Sequence, residues 1–71
     1  MIRLIRYYCI KHDTVIAFPQ KPSLCSMKKF DERRYIPSID CMVYGWIVYG
    51  EELTPSEIAA YGLIREPREV E

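Results

Sequence analysis

Residues 45–64 read GWIVYGEELTPSEIAAYGLI, a β-prone run that passes through an acidic turn into a helix with both ends marked. Thr54 is a good N-cap, Pro55 suits the first helical position, and Glu57 stands where a capping box places its carboxylate. Leu53 and Ile58 occupy the two positions of a hydrophobic staple. Gly62 can take the left-handed conformation that closes a helix, with Leu63 folding back on Ile58. A helix of about two turns is therefore expected over residues 55–61. The strand before it is expected over 39–49. Alternation places Cys41, Val43, Gly45, Ile47 and Tyr49 on one face, and Asp40, Met42, Tyr44, Trp46 and Val48 on the other. Both faces are apolar in the middle, as in a strand covered on both sides.

Toward the N-terminus, residues 2–10 (IRLIRYYCI) mix β-branched and aromatic residues with partial alternation. They read as a half-buried strand, with Ile5, Tyr7 and Cys9 on one face and Leu4, Arg6 and Tyr8 on the other. A polar turn, Lys11-His12-Asp13, leads to a second β-prone run over 14–18, so a first hairpin is expected, ended by Pro19 and Pro22. In residues 23–34, Leu24, Met27, Phe30 and Arg34 fall at helical spacing and Ser23 can cap the start. That segment reads as a short helix or an irregular loop with one turn, stopped by Pro37. A short edge strand over 63–66 is compatible with the pattern, and 67–71 reads as a frayed tail. The fold class is α+β: a small antiparallel sheet of three or four strands, one short C-terminal helix and room for a second helix. Residues 1–71 form a single domain in this reading.

A chain of 71 residues buries only about 60% of its unfolded surface, so its stability margin is small. Apolar residues are 49% of it, too many for disorder. The longest uncharged run, Cys41 to Gly50, is too short to span a bilayer. Charges are scattered through the first residues, unlike a secretory leader. No membrane is expected as partner, and the expected location is the cytoplasm. The formal charge is zero but divided. Residues 1–35 carry eight Lys and Arg against three acids, a balance of +5, and residues 36–71 carry two against seven, a balance of −5. A neutral chain argues against a nucleic-acid partner, and the asymmetry permits self-association or docking on a charged protein.

Cys9, Cys25 and Cys41 are odd in number and form no CxxC pair, so three free thiols and no metal are expected. His12 is the single histidine, and neither a phosphate loop nor an HExxH nor a GxSxG motif is present. A catalytic role and a cofactor are therefore not expected. The candidate site is instead an interface. Met42, Tyr44, Trp46 and Val48, with Tyr7 or Tyr8 from a neighbouring strand, would make the kind of aromatic patch enriched where proteins meet. Lys28, Lys29, Arg33, Arg34, Glu51 and Glu52 would form its charged rim. The same residues could instead be the core of a very small domain.

The pattern G-W-x-x-Y-x-x-x-L-T-x-x-E-[apolar]-x-x-Y-x-L, here Gly45, Trp46, Tyr49, Leu53, Thr54, Glu57, Ile58, Tyr61 and Leu63, resembles the C-terminal ending of short uncharacterised proteins from phages and mobile elements. It covers about a quarter of the chain, and much of it is helix-cap chemistry. Small proteins of that origin include anti-CRISPR and other anti-defence inhibitors. The resemblance implies a non-enzymatic inhibitor in the host cytoplasm that binds a host protein, a bacterial defence effector, by occlusion. A homodimeric structural or accessory module is the alternative, and a nucleic-acid mimic or binder the third reading.

Overall fold

In the computed structural model, which describes residues 4–15 and 17–67, the chain runs through β1 (Ile5–Cys9), a short 3-10 helix (His12–Val15), β2 (Leu24–Ile36), β3 (Cys41–Tyr49), α1 (Pro55–Tyr61) and β4 (Leu63–Arg65). Among the described residues the strands form one four-stranded sheet in the order β2-β3-β1-β4, with every neighbouring pair antiparallel. The α+β class therefore holds. β1 is central because both of its edges are used, Tyr7 opposing Ile47 on one side and Arg65 on the other.

Two expectations are corrected. The 23–34 segment is not helical: it belongs to β2, a thirteen-residue edge strand. The apolar spacing that suggests a helix arises because most of this strand is solvated on both faces, which leaves little alternation to read. The 14–18 run is not a strand either. The chain enters a 3-10 turn at His12, and Ala17 N–H donates to Asp13 O at 2.9 Å. Its polar start favours a turn, and β1 finds its partners in β3 and β4, so the first hairpin does not form. The expected beginning of β1 at residues 2–3, Ile16 in the 14–18 run, and 68–71 of the tail lie outside the described residues.

The helix follows its sequence signals closely. Thr54 Oγ1 accepts from Glu57 N–H at 3.2 Å while Glu57 Oε1 accepts from Thr54 N–H at 2.9 Å. Gly62 closes the helix at φ 63° and ψ 50°, a left-handed conformation that costs a side-chain-bearing residue about 1–2 kcal/mol. Immediately after, Leu63 enters β4 against Cys9. The cap thus aims the chain directly back onto β1.

One face of the sheet holds the main core. Ile5, Tyr7 and Cys9 of β1 meet Ile47 and Tyr49 of β3 and are covered by Leu53, Leu63, Ile58, Tyr61 and Phe18. Each fully buried aliphatic or aromatic side chain here is worth about 1.5–3 kcal/mol. Two phenols are buried in it with their hydroxyls satisfied. Tyr49 donates to Pro19 O at 2.7 Å, and Tyr7 accepts from Leu53 N–H at 2.9 Å. These bonds fasten the 19–23 connection and the approach to α1 to the sheet. Lys21 adds an ion pair to Glu57 at 2.8 Å. That bond, with the Thr54 N–H, holds the Glu57 carboxyl below its ordinary value.

Candidate functional site

The opposite face is closed differently. Between Lys29, which opposes Gly45, and Arg34, which opposes Val43, the register of β2 against β3 shifts by three residues. This bulge, residues 30–33, bends the far end of the hairpin. The strand alternation of β3 is interrupted at the same level, at Tyr44–Gly45. Val43 packs with Tyr8 and Phe30, whereas Tyr44 joins the core on the other side. The bent end then returns over the sheet. Ile36 and Ile39 pack against the Tyr8, Phe30 and Val43 cluster. Ser38 in the turn donates to Glu66 Oε2 at 2.9 Å, and Tyr8 donates to the same oxygen at 2.6 Å. Burial and the neighbouring Glu66 carboxylate both push the Tyr8 phenol above its ordinary value, and Arg6 partly opposes them.

Beyond this flap the second face stays open. Lys28, Trp46 and Tyr8 stand directly opposite one another across β2, β3 and β1, with Val48 and Arg6 paired in the next row. The Arg6 guanidinium lies 4.6 Å over the Trp46 ring, and Arg34 lies 4.8 Å over Phe30. Both are cation–π distances. At the tip, Tyr35 and Met42 are cross-strand partners, 54% and 42% exposed, the most open large apolar side chains among the described residues. The Tyr35 hydroxyl donates to Asp40, which raises the phenol's pKa, and Asp40 itself takes a left-handed turn conformation at φ 49°. Asp is one of the few residues other than glycine that tolerate it.

The residues expected to form one aromatic interface are therefore divided. Tyr7, Tyr8 and Val48 are buried within the fold. Trp46 is half-buried on the second face. Tyr44 turns to the first face, its ring edge-on to His12 at 5.3 Å and facing Arg33 at 5.9 Å. Met42 is exposed at the hairpin tip. The rim is divided as well. Lys28, Lys29, Arg33 and Arg34 are exposed along β2, whereas Glu51 and Glu52 sit in the turn after β3, near the opposite end of the hairpin, where Glu52 pairs with Arg65 at 3.0 Å. The sequence reading missed Tyr35, Ser38, Glu66 and the stacked Arg6. A signal for the first existed: β-prone residues on both sides of the turn at Pro37–Asp40 describe a hairpin whose partners include Tyr35 and Met42.

Groups of other chemistries are placed as follows. Cys9 is in the core, Cys25 is exposed on β2 and Cys41 half-buried, all three as free thiols. Burial pushes the Cys9 thiol up to about 12, so it carries no thiolate near neutrality. Among the described residues no three His, Cys, Asp or Glu side chains are grouped to hold a metal ion, and no helix is long and apolar enough to cross a membrane.

Fold and exposed groups together define a small antiparallel α+β module with a flap-covered second face and a basic edge strand. The chain belongs to the family described as Defence against restriction A C-terminal, whose model matches residues 3–68. No curated protein and no solved structure matches it. Family membership gives it a broad anti-defence role, in defence against restriction, in agreement with the anti-defence part of the resemblance drawn from the Trp46–Leu63 pattern.

Proposed function

We propose that this chain acts in defence against restriction by binding, not by chemistry, and that what it binds is a protein of the host's restriction machinery in the cytoplasm. The observation that carries this reading is the hairpin tip. Tyr35 and Met42 stand side by side and exposed on the outer side of a hairpin whose inner side is anchored to Glu66 and Tyr8. An aromatic and a methionine presented on a hairpin anchored at its turn are the residue types and the setting of an interface hot spot. The exposed Arg33 and Arg34 beside them supply a charged rim that fits an acidic partner surface. The Cys9 thiol is kept neutral in the core, and His12 is held against Tyr44 beside the exposed Asp13. The Cys9 thiol is thus not poised as a nucleophile.

The test is cleavage of unmodified DNA by a purified restriction enzyme, titrated with the chain. Protection should saturate near one chain per enzyme complex at any DNA concentration. It should be lost in the Tyr35→Ser, Met42→Ser double variant while the melting temperature stays within a few degrees of the parent. Cleavage that continues undiminished with the chain in large excess would sink the proposal. Protection that scales with DNA in place of enzyme would do the same.

A further inference from the structure

The open part of the second face has a composition of its own. Arg6, Lys28 and Arg34 border it, and none of the three is ion-paired to a carboxylate among the described residues. Two of them sit over aromatic rings, Arg6 over Trp46 and Arg34 over Phe30. Of the described acids Glu66 adjoins the patch, its N–H donating to Arg6 O and its carboxylate accepting from the Tyr8 hydroxyl, and others are engaged away from it. Glu52 and Glu57 are paired to Arg65 and Lys21, Glu66 is buried beneath the flap, and Asp40 is bonded by Tyr35. Asp31 and Glu32 sit in the bulge beside Arg33 and Arg34 and bound the patch on that side. The formal neutrality of the chain therefore hides a cationic, aromatic sheet surface.

From this juxtaposition we infer that the Arg6–Trp46–Lys28 surface is a contact site for single-stranded nucleic acid, reaching two or three nucleotides. The Arg6 guanidinium, held over the Trp46 ring, offers a plane on which a base stacks, and the exposed Lys28 and Arg34 beside it meet the phosphates. The directly opposed placement of Lys28 and Trp46 across β2 and β3, with Arg6 over the ring, puts a stacking plane and two cations on one side of the sheet. An acidic protein would satisfy the cations alone, whereas a base would also use the outer face of the Arg6 guanidinium held over the half-buried Trp46 ring. The inference goes beyond protein docking at the hairpin tip, centres on Arg6, Trp46 and Lys28 with Arg34 as the one shared residue, and stands without it.

Trp46 is the single tryptophan of the chain, so its emission reports this site directly. The experiment titrates the full chain with an oligothymidylate of about fifteen nucleotides, following Trp46 emission and the anisotropy of a labelled strand. Emission should be quenched on binding. With three phosphates neutralised, affinity should fall roughly twentyfold between about 50 and 200 mM salt. Lys28→Gln should weaken binding severalfold. Lys29→Gln should not, because the adjacent strand residue points to the opposite face. Unchanged emission and anisotropy at about 100 μM chain in low salt would overturn the inference, as would equal effects of the two lysine variants. Quenching by polyglutamate as strong as that by the oligonucleotide would also overturn it, and would assign the surface to acidic polypeptides.

Discussion

Replacing Tyr7 by phenylalanine removes one oxygen atom from the centre of the molecule. The ring would stay, fully buried and edge-on to Tyr49 at a centroid distance of 6.0 Å. What is lost is the acceptor for Leu53 N–H, a 2.9 Å bond between a central strand and the residue preceding the N-cap of α1. Leu53 is itself buried, so its N–H would be left without water or another partner. An orphaned buried donor costs about 1–3 kcal/mol, against a total stability of about 4–10 kcal/mol for a chain of this length. At about 4–8 °C per kcal/mol for a domain of this size, a 2 kcal/mol loss should lower the thermal midpoint by about 8–16 °C. Melting followed by circular dichroism measures this. The Leu53 amide should also exchange with solvent faster in the variant than in the parent. Tyr35→Phe is the control, since that hydroxyl bonds Asp40 at the exposed tip and should change stability by less than about 0.5 kcal/mol. Equal melting of Tyr7→Phe and the parent would refute the reasoning, because it would mean that the strand-to-helix bond contributes nothing.

Thr54→Ala should cost about 1 kcal/mol by removing the cap bond to the Glu57 amide, read as a drop in the thermal midpoint. A thiol-reactive dye under native conditions should label Cys25 quickly, Cys41 more slowly and Cys9 only on unfolding; prompt labelling of three thiols would contradict the core position of Cys9. The Glu57 carboxyl is held below its ordinary value, so its contribution to stability is present above that value and is lost as pH falls through the lower folded one. Lys21→Met should flatten the decline of the melting temperature on acidification, and an unchanged acid limb would show that the Lys21 pair does not hold Glu57 in solution.

What was legible in the sequence is what depends on near neighbours. Thr54, Pro55, Glu57 and Gly62 interact within one short helix, and their order alone specifies its start and stop. β3 was legible because its apolar run is long. The reading failed where distant residues decide. Met27 and Phe30 look helical until β3 is placed beside them and the 30–33 bulge absorbs the extra residues. Tyr44 and Trp46 look like neighbours on one face until that bulge breaks the alternation between them. The anchoring of Ser38 and Tyr8 on Glu66 joins residues up to 58 positions apart, and no local pattern announces such a bond.

The position of β1 has a consequence for how the molecule comes into being. The first strand in chain order is one of the two inner strands, and its two partners, β3 and β4, follow it by more than thirty and more than fifty residues. Until both arrive, Ile5–Cys9 offers two unsatisfied edges and the greater part of a core face. The sheet therefore cannot grow outward from its centre as the chain emerges. Closure must wait for Leu63–Arg65, and it joins segments of high sequence separation, which slows folding relative to a helical protein of equal size. An interruption anywhere between β1 and β4 would leave a naked central strand, a template for association with other chains. The same arrangement brings Arg6 and Glu66 together, Glu66 N–H donating to Arg6 O at 2.8 Å. The opening of β1 and the close of β4 thus lie side by side, so the segment that starts the sheet is sealed only by the one that finishes it.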